Sequence, residues 1–589
     1  MTTVREPESA HPSPPAPPAP LGLDPEPDPF LQAAPRLGNR WLDDRALRLG
    51  VRRLVTESLS GPSGPADPDA LAAVDRLLAE VGEQAAVELA PLADEAERVP
   101  PRLVTYDAWG RRIDRIEVDP AWRRLVRRAA ELGVVWLAYE RPFGTASRIV
   151  QMAAAQLVDP VSASALCPLG MTDGAASALC RHDPALTAAW VPRLTARTDG
   201  WTCGQWMTEK EGGSDVGRSV TTAVPLAGGR WALHGTKWFT SATTADVSLA
   251  LARPLGAEPG TRGLSLFALR LRRPDGSWNG IRVRRLKDKL GTRALPTAEL
   301  DLIGTEAVPV GGLGHGVPKV AAVLHPARLW AAQSGTAATG HLLALARDYA
   351  ARRVVAGGLL GGQPVHQRWL AEIAAVYHAM VQMSLRAAQL VGADDVERAG
   401  APSPLSRIVV PLAKLACARQ GVWATSHLLE TFGGAGYLED TGLPRVLRDV
   451  HVQCIWEGTT TVLALDVVRA LRDPDVGAGL LDDIGAQLDR YLGPGVAVPA
   501  ERAVRAALPR LRELLACPPI DPRALAWGLA RTYQAALLVA HARWAASTCD
   551  DPRPATAAVL FTRHPLLSEP APLAADEIAS LAEAGEGAR

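Results

Sequence analysis

The sequence predicts a mainly α-helical protein with a small β domain at its centre. Apolar residues recur at three- and four-residue spacing over residues 36–200 and again over residues 313–472, which is typical of amphipathic helices. Between these segments, over residues 201–312, threonine, valine and aromatic residues alternate as in half-buried strands. We therefore expect an N-terminal helical domain, a middle β domain and a C-terminal helical bundle. An additional helical region is expected over residues 473–589.

The composition of the 589-residue chain is that of a globular protein with no strong preference for a charged partner. Its formal net charge is zero, which gives no global electrostatic reason to expect nucleic acid or a membrane surface as the main partner. The seven cysteines are scattered and form no C-x-x-C motif. We therefore expect neither disulfides nor a metal site, and a reducing cytoplasmic location. No apolar run approaches the length of a membrane helix.

The first 35 residues are rich in proline and lack an apolar core, so they predict a disordered tail rather than a secretory signal. A docking segment is the alternative. In the N-terminal helical domain, residues 68–99 have helical periodicity, with Asp67 as the expected cap and Pro68 in the first helical position. Residues 119–140 predict a second amphipathic helix. The stretch between the two is too polar and turn-rich for a helix.

In the β domain, residues 219–241 predict two strands joined at residues 227–229, and residues 263–271 and 279–286 continue the alternating pattern. In the bundle, residues 367–393 keep one apolar face at helical spacing.

A second bundle helix is expected to start with Pro411 in its first turn and to end at Gly433 and Gly434. The C-terminal region contains roughly 11 arginines against about 15 acidic residues, so it is not a basic module.

Two motifs flank the start of the β domain. In the first, "QWMTEKEGGSDVG" (205–217), Thr208, Ser214 and free backbone N–H groups could bind a polar ring or a phosphate. A turn stabilised by serine and aspartate is the alternative. In the second, "TKWFTS" (236–241), Trp238 could stack on a planar cofactor while neighbouring hydroxyls hold its edge. The alternative is an ordinary aromatic residue of the core.

The stretch at residues 430–462 is the richest in chemistry. Gly433 and Gly434 allow a phosphate or ribose to approach the backbone, but they follow a helix and so are not a Rossmann fingerprint. They could equally be a glycine helix stop. Glu457 lies in "CIWEGTTTV" (454–462), which contains no lysine or arginine to pair with it. It could be a catalytic acid or base, or an acid that interacts with the dipole of the following helix.

These three motifs, with "RLKDKLGTRALPTAEL" (285–300) and "YAARRVVAGGLLGGQPVHQ" (349–367) between them, resemble the acyl-CoA dehydrogenase flavoprotein family. The resemblance covers residues 130–472. The stretch "LVTYDAWGRRIDRIEVDPAW" (103–122) and Glu430 before "TFGG" are similar to the AidB-type branch. The resemblance implies a homotetramer with FAD bound between the β domain and the bundle and reaching a neighbouring subunit.

The resemblance also assigns roles to individual residues. Gln205, Met207, Thr208 and Ser214 would contact the flavin and its ribityl chain, and Trp238, Thr240 and Ser241 would line its ring. Arg353 would reach the FAD of another subunit, Gly433 and Gly434 would lie near the adenosine half, and Thr459 and Thr461 would also contact FAD. Ala356 stands where the family usually has phenylalanine, so one aromatic contact with FAD is expected to be missing.

By the same resemblance, the protein is expected to be an oxidoreductase acting on an acyl-CoA or acyl-thioester, with an unidentified electron-transfer partner. Glu457 would be the catalytic base that removes the α-proton while hydride leaves the β-carbon for the flavin. The alternative is an AidB-like, DNA-associated flavoprotein of the alkylation-damage response with vestigial dehydrogenase activity. The slightly acidic C-terminal region disfavours this alternative.

Overall fold

The computed structural model describes residues 34–60, 66–491, 495–516, 521–567 and 579–580. The predicted disordered tail therefore lies almost entirely outside the described residues. The N-terminal domain consists of helices around one short hairpin. Its elements in chain order are α1 (Arg40–Asp43), α2 (Arg45–Leu59), α3 (Pro68–Gln84), α4 (Ala90–Arg98), β1 (Arg102–Tyr106), β2 (Arg112–Glu117), α5 (Pro120–Ala129), α6 (Leu137–Glu140), α7 (Ser147–Val158), α8 (Ala163–His182) and α9 (Pro184–Leu194).

The start of α3 confirms the predicted cap. The Asp67 side chain accepts a hydrogen bond from the backbone N–H of Asp69, and Pro68 occupies the first helical position. The polar stretch that follows α4 forms the antiparallel hairpin β1–β2. Such a stretch gives little apolar alternation to predict strands, because its residues are mostly exposed or half-buried.

The β domain contains the strands β3 (Cys203–Trp206), β4 (Thr222–Pro225), β5 (Trp231–Ser241), β6 (Val247–Pro254), β7 (Ser265–Arg270), β8 (Ile281–Leu286) and β9 (Thr297–Pro309). The predicted antiparallel pair on either side of residues 227–229 is β4–β5, with Thr222 opposite His234. The pairings β6–β4–β5–β9–β7–β6 close into a ring, while β3 extends from β6 and β8 from β9. Closure removes most free strand edges.

The bundle is formed by α10 (Gly316–Arg352), α11 (Pro364–Glu397), α12 (Pro404–Glu430), α13 (Leu443–His451) and α14 (Thr460–Ala470), and a short hairpin, β10 (Val354–Val355) and β11 (Gly358–Leu359), follows α10. The predicted start of α12 was wrong. Ser403 caps the helix and Pro404 is its first residue, so Pro411 lies inside it. The Ser-Pro pair supplies a complete start signal seven residues earlier, which outweighs the second proline.

The C-terminal region adds α15 (Pro474–Asp489), α16 (Val498–Ala516), α17 (Pro522–Cys549) and α18 (Arg553–Phe561). Helix α17 packs against α11, α12 and α14, and its buried residues belong to the same hydrophobic core as the bundle. Buried polar contacts join the two parts: Gln534 and Gln420 exchange hydrogen bonds, and Asp483 accepts from Arg386 at 2.7 Å. Among the described helices, none is long and apolar enough to span a membrane.

Candidate active site

The backbone around Glu457 has an unusual conformation. Glu457 has a φ of 59° and Gly458 a φ of 106°, so two successive residues lie in the left-handed region. Helix α14 begins only at Thr460, where the Thr459 side chain caps it by accepting from the N–H of Val462. For a residue other than glycine, this conformation costs about 1–3 kcal/mol. Other contacts must therefore hold Glu457 in place.

Two basic side chains from the bundle supply these contacts. Arg328 Nε donates to the backbone carbonyl of Glu457 at 3.2 Å, and Lys414 Nζ donates to the carbonyl of Gly458 at 2.6 Å. Arg328 is itself fixed by an ion pair with Asp466 at 2.7 Å. The positive charges thus bind the main chain next to the acid and leave its carboxylate free for another contact.

The Glu457 carboxylate forms no ion pair with any described residue. Gln205 Nε2 lies 3.4 Å from Glu457 Oε2, a long hydrogen bond from strand β3. Burial raises the pKa of Glu457, and the opposing effects of Gln205, Arg328 and Lys414 do not cancel this increase. A carboxylate whose pKa is raised holds a proton more tightly, so it is a stronger base than an exposed or salt-bridged one.

Glu457 borders a narrow cavity of about 60 Å³. The walls come mainly from helices α8 and α10 and from the turn before Glu457. The lining residues are Asp159, Ala163, Leu166, Cys167, Gly170, Met171, Ala327, Trp330, Ala331, Ser334, Gln453, Trp456 and Glu457. Trp330 is fixed from behind, because its Nε1 donates to the buried Asp173 at 2.8 Å. The cavity therefore has one rigid wall and an ionisable group at its edge.

The two motifs that flank the start of the β domain are joined directly. The N–H of Trp238 donates to the carbonyl of Thr208 at 3.0 Å. Beneath this contact Lys237 Nζ binds Glu209 Oε1 at 2.7 Å, with both side chains fully buried. Burial lowers the pKa of Lys237. The loop that follows Met207 is thus attached to strand β5 by an ion pair. Glu209 belongs to the first motif and Lys237 to the second.

The three predicted ring-lining residues of β5 differ in how much of their surface is available. Trp238 is half-buried, and the Lys287 ammonium lies 3.6 Å from the centre of its ring. Thr240 is buried and its hydroxyl donates to the carbonyl of Ala298 at 2.7 Å, so it can only accept from a ligand. Ser241 shares a hydrogen bond of 3.1 Å with Thr297.

The remaining predicted cofactor residues do not contact Glu457. Their side chains or backbones are exposed on loops and helix ends of the described chain: Ser214, Arg353, Gly433, Gly434, Thr459 and Thr461. Met207, by contrast, is buried. A Cβ built at Gly433 or Gly434 would meet no atom within 4 Å, so their backbone is open to a ligand or another chain.

Three family models match the chain in series. The model of the adaptive response protein AidB N-terminal domain matches residues 38–199, the acyl-CoA dehydrogenase middle domain matches residues 204–304, and the acyl-CoA dehydrogenase C-terminal domain matches residues 314–472. The chain is also 38% identical to acyl-CoA dehydrogenase family member 11 of Caenorhabditis elegans over 546 residues, which cover 87% of this chain and 86% of that protein. The chain belongs to the acyl-CoA dehydrogenase family.

Two further similarities support the AidB-like branch of the acyl-CoA dehydrogenases. The chain is 32% identical to the putative acyl-CoA dehydrogenase AidB of Escherichia coli K12, over 81% of this chain and 85% of that one. The crystal structure of Caenorhabditis elegans ACDH-11 in complex with C11-CoA superposes with a TM-score of 0.86 at 34% identity, and the match covers 92% of this chain and 94% of that one. This AidB-like acyl-CoA dehydrogenase is therefore an FAD-dependent oxidoreductase with the three-domain fold of its family.

The residues of this acyl-CoA dehydrogenase fit FAD. Gln205 Oε1 is buried and has no hydrogen-bond partner within the described part of the chain, so it can accept from a bound ligand. The indole of Trp238 offers an aromatic surface for stacking. Gly433 and Gly434 leave open space beside the backbone. Ala356, in the turn between β10 and β11, has a φ of 50° and an exposed side chain too small for the aromatic contact usual in the family.

The basic residues that hold Glu457 are far from it in the sequence. Arg328 lies 129 residues before Glu457 and Lys414 lies 44 residues before Gly458, so no local motif contains either pair. Lys414 did offer one signal. It is the only charged residue in the apolar run "IVVPLAKLACA" (408–418), and a buried lysine in such a run requires a partner.

Proposed function

We propose that Glu457 removes the α-proton of a bound acyl thioester and that the protein thereby desaturates the acyl chain between its α- and β-carbons. The observation that carries this proposal is the carboxylate itself. It borders a narrow cavity, its pKa is raised by burial, and the positive charges of Arg328 and Lys414 bind the main chain instead. A base of this kind must lie within hydrogen-bond reach of the proton that it removes.

FAD, when bound, supplies the acceptor for the hydride that leaves the β-carbon. The residues proposed to hold it are those that the family resemblance assigns from β3 to α14. Among them, Gln205 has two functions in the proposal. Its Nε2 orients the Glu457 carboxylate, while its Oε1 remains free to accept a hydrogen bond.

The remaining steps concern the side chains of the protein. Glu457 takes the α-proton on a carboxylate oxygen, and its pKa, already raised by burial, favours this transfer. Arg328 and Lys414 keep the backbone of Glu457 and Gly458 in the left-handed conformation that aims the carboxylate. Trp330 and Ala331 wall the cavity and help to exclude water from the reacting carbons.

The proposal is tested by the absorption spectrum of the purified protein, followed by anaerobic titration with acyl-CoAs of several chain lengths and branching patterns. We expect bound FAD and bleaching of its visible absorption by at least one thioester. Bound FAD that no member of a broad panel can reduce would exclude the dehydrogenase function. The acyl chain that bleaches fastest would define the substrate class.

The pH dependence of kcat/KM should reveal the pKa of Glu457 and the effect of Lys414 on that pKa. In the wild type, the rate is expected to fall with acidification through a pKa above the ordinary glutamate value, because protonated Glu457 cannot accept a proton. The positive charge of Lys414 lowers the pKa of Glu457, so Lys414→Met should move this acidic limb to higher pH. Lys414 is therefore a positioning residue, and its charge can be detected as a shift of the acidic limb of the pH profile.

A matched control for this change is Lys319→Met. Lys319 is also buried and donates to backbone carbonyls, those of Gly311 and Gly312 at 3.0 and 2.8 Å, but it does not contribute to the pKa of Glu457. Lys319→Met should leave the acidic limb unchanged. Equal limbs in the wild type and in Lys414→Met would contradict the electrostatic role of Lys414.

We extend the proposal to the quaternary structure. Arg353, Gly433 and Gly434 are exposed and make no contact with Glu457, so they can serve only a cofactor that extends beyond this part of the subunit. A homotetramer in which each subunit completes the FAD site of another would use them. Arg353→Ala should then weaken FAD binding while leaving the thermal stability of the FAD-free protein unchanged.

A DNA-associated role is not favoured by the charges of the C-terminal region. Several of its arginines are neutralised within the fold: Arg505 pairs with Asp489 at 2.8 Å, and Arg553 pairs with Asp551 at 2.9 Å. Paired arginines have less charge to offer to phosphates. A salt-sensitive gel shift with duplex DNA at low ionic strength would restore this alternative.

A further inference from the structure

The cavity beside Glu457 contains a polar cluster of its own. Asp159, directly after α7, accepts a hydrogen bond from the Ser334 hydroxyl at 2.7 Å. Gln453 Nε2 donates to the same Ser334 oxygen at 2.9 Å. All three residues line the cavity, and all three are at least nine-tenths buried. The proposed proton abstraction uses none of them.

One oxygen of Asp159 has no partner. Ser334 donates to Oδ2, and no described residue donates to Oδ1. Burial raises the pKa of Asp159 to about 7, and the negative charge of Asp449 adds to the effect. Its neighbours on the cavity wall include Leu166 and Met171, which have no donors to offer. Asp159 Oδ1 is therefore available to accept a hydrogen bond from a ligand in the cavity that it lines.

Cys167 lines the same cavity as the two carboxyl groups. Burial raises the pKa of Cys167 to about 12, and the negative charges of Glu457 and Asp159 both contribute. A ligand whose reacting carbon meets Glu457 in this cavity would therefore also border Cys167 and Asp159.

The size of the cavity limits the length of this ligand. A single water needs roughly 10–15 Å³ of such space, so a cavity of about 60 Å³ holds about four to six water-sized groups. Counted from the α-carbon, a three-carbon chain that ends in a hydroxyl occupies about four of these positions. A long alkyl chain would extend beyond this space and would not supply the missing donor.

We propose that this pocket selects a short acyl thioester whose far end carries a hydrogen-bond donor, a hydroxyl or an amino group, and that Asp159 accepts that hydrogen bond. The inference rests on the proposed function and names its substrate class. Ser334 and Gln453 act as positioning residues, because they fix the orientation of the Asp159 carboxyl group. Above pH 7, where Asp159 is mostly ionised, an ω-carboxylate would be repelled by its negative charge.

The test compares kcat/KM for matched thioesters. The panel contains butyryl-CoA, pentanoyl-CoA, 4-hydroxybutyryl-CoA, 5-hydroxypentanoyl-CoA, 4-aminobutyryl-CoA and glutaryl-CoA. We expect at least one hydroxyacyl or aminoacyl thioester to exceed its alkyl counterpart by roughly 10- to 100-fold, the range for a hydrogen bond to a charged group. The amino member distinguishes an ammonium donor from a hydroxyl donor. Glutaryl-CoA should be the poorest substrate.

Two variants assign the preference to Asp159. Asp159→Leu should abolish the preference for the donor, and the isosteric variant Asp159→Asn serves as a second test if the leucine variant fails to fold. Asp394→Asn is the matched control. Asp394 is a buried aspartate that also accepts from a serine, Ser406, but it does not line the cavity. It should keep the preference of the wild type.

The experiments distinguish a failure of the proposed role of Asp159 from a failure of the dehydrogenase function. Oxidation of butyryl-CoA without preference for any donor-bearing partner would overturn the role of Asp159 and leave the dehydrogenase function intact. A preference for glutaryl-CoA, or a donor preference that survives in Asp159→Leu, would also overturn it. If FAD is bound but no thioester of a broad panel reduces it, the proposed function fails and this inference fails with it.

Discussion

Glu457→Gln should lower the rate of flavin reduction by an acyl thioester by roughly 10²- to 10⁴-fold, the usual contribution of a positioned general base. The amide has nearly the shape of the carboxylate and can still accept a hydrogen bond from Gln205, so the cavity should keep its form. It cannot take up the α-proton. The measurement is anaerobic stopped-flow bleaching of bound FAD with the best substrate of the panel.

The variant should bind FAD and substrate with nearly wild-type affinity, because only the proton acceptor is lost. Glu397→Gln is a matched control: Glu397 is an exposed glutamate at the end of α11 and has no contact with the cavity. It should reduce at the wild-type rate. Unchanged reduction in Glu457→Gln would show that another group removes the proton. If the variant is purified without FAD, the reduction rates should be compared after the apoenzyme has been reconstituted with FAD.

The acidic limb of the pH profile gives an independent check on this assignment. In the wild type, activity should be lost as pH falls through the raised pKa of Glu457. In Glu457→Gln the residual activity should no longer follow that limb, because the titrating group is gone. A limb that persists unchanged would belong to another residue, and Asp159, with a pKa raised to about 7, would be the first to examine.

The sequence was sufficient to predict a mainly helical fold with a central β domain. Helical and strand periodicities predicted the order of helices and strands, since a buried face leaves a local pattern. They could not predict that β6 and β7 pair to close the ring of strands, because closure depends on contacts between distant segments. The error at the start of α12 has a local cause. Two prolines lie seven residues apart, and only the first follows a capping serine.

In the candidate site, too, local motifs could be predicted from the sequence, but contacts between distant segments could not. The motif around Glu457 predicts a catalytic base through its resemblance to the family, because a lone carboxylate before a helix is by itself also compatible with an acid that interacts with the helix dipole. The cavity cluster could not be predicted, because Asp159, Ser334 and Gln453 come from three separate segments and each is unremarkable in its own. The strain at Glu457 was equally hidden, since its φ of 59° depends on Arg328 and Lys414 from other helices.

The second large effect should follow from breaking the buried pair Glu209–Lys237. Lys237→Met removes the only cation that contacts Glu209 among the described residues and leaves a buried carboxylate with just the N–H groups of Val220 and Thr221. Breaking a buried pair in this way costs about 3–5 kcal/mol of stability. The loop from Met207 to Thr221 should also detach from β5, so FAD affinity should fall. Thermal unfolding and FAD titration measure the two effects.

The pH dependence of this variant has a definite sign. In the wild type, burial alone would raise the pKa of Glu209, but Lys237, together with hydrogen bonds from Thr221 and from the backbone of Val220, lowers it below its ordinary value. The pair therefore stabilises the fold at neutral pH, and this contribution is lost as pH falls through the lowered pKa. In Lys237→Met only burial and the contacts with Thr221 and Val220 remain, so the pKa should rise above the unfolded value. The stability deficit should then be largest at neutral pH and shrink on acidification.

The double variant Glu209→Gln/Lys237→Met isolates the charge from the packing. It removes both charges while keeping a hydrogen-bond acceptor for the N–H groups of Val220 and Thr221, so it should recover much of the stability lost in Lys237→Met. Its stability should also vary less with pH than that of the single variant. A double variant as unstable as Lys237→Met would mean that the lysine stem, rather than its charge, holds the loop. If the double variant instead recovers both stability and FAD affinity, the charges of Glu209 and Lys237 join the motifs at residues 205–217 and 236–241.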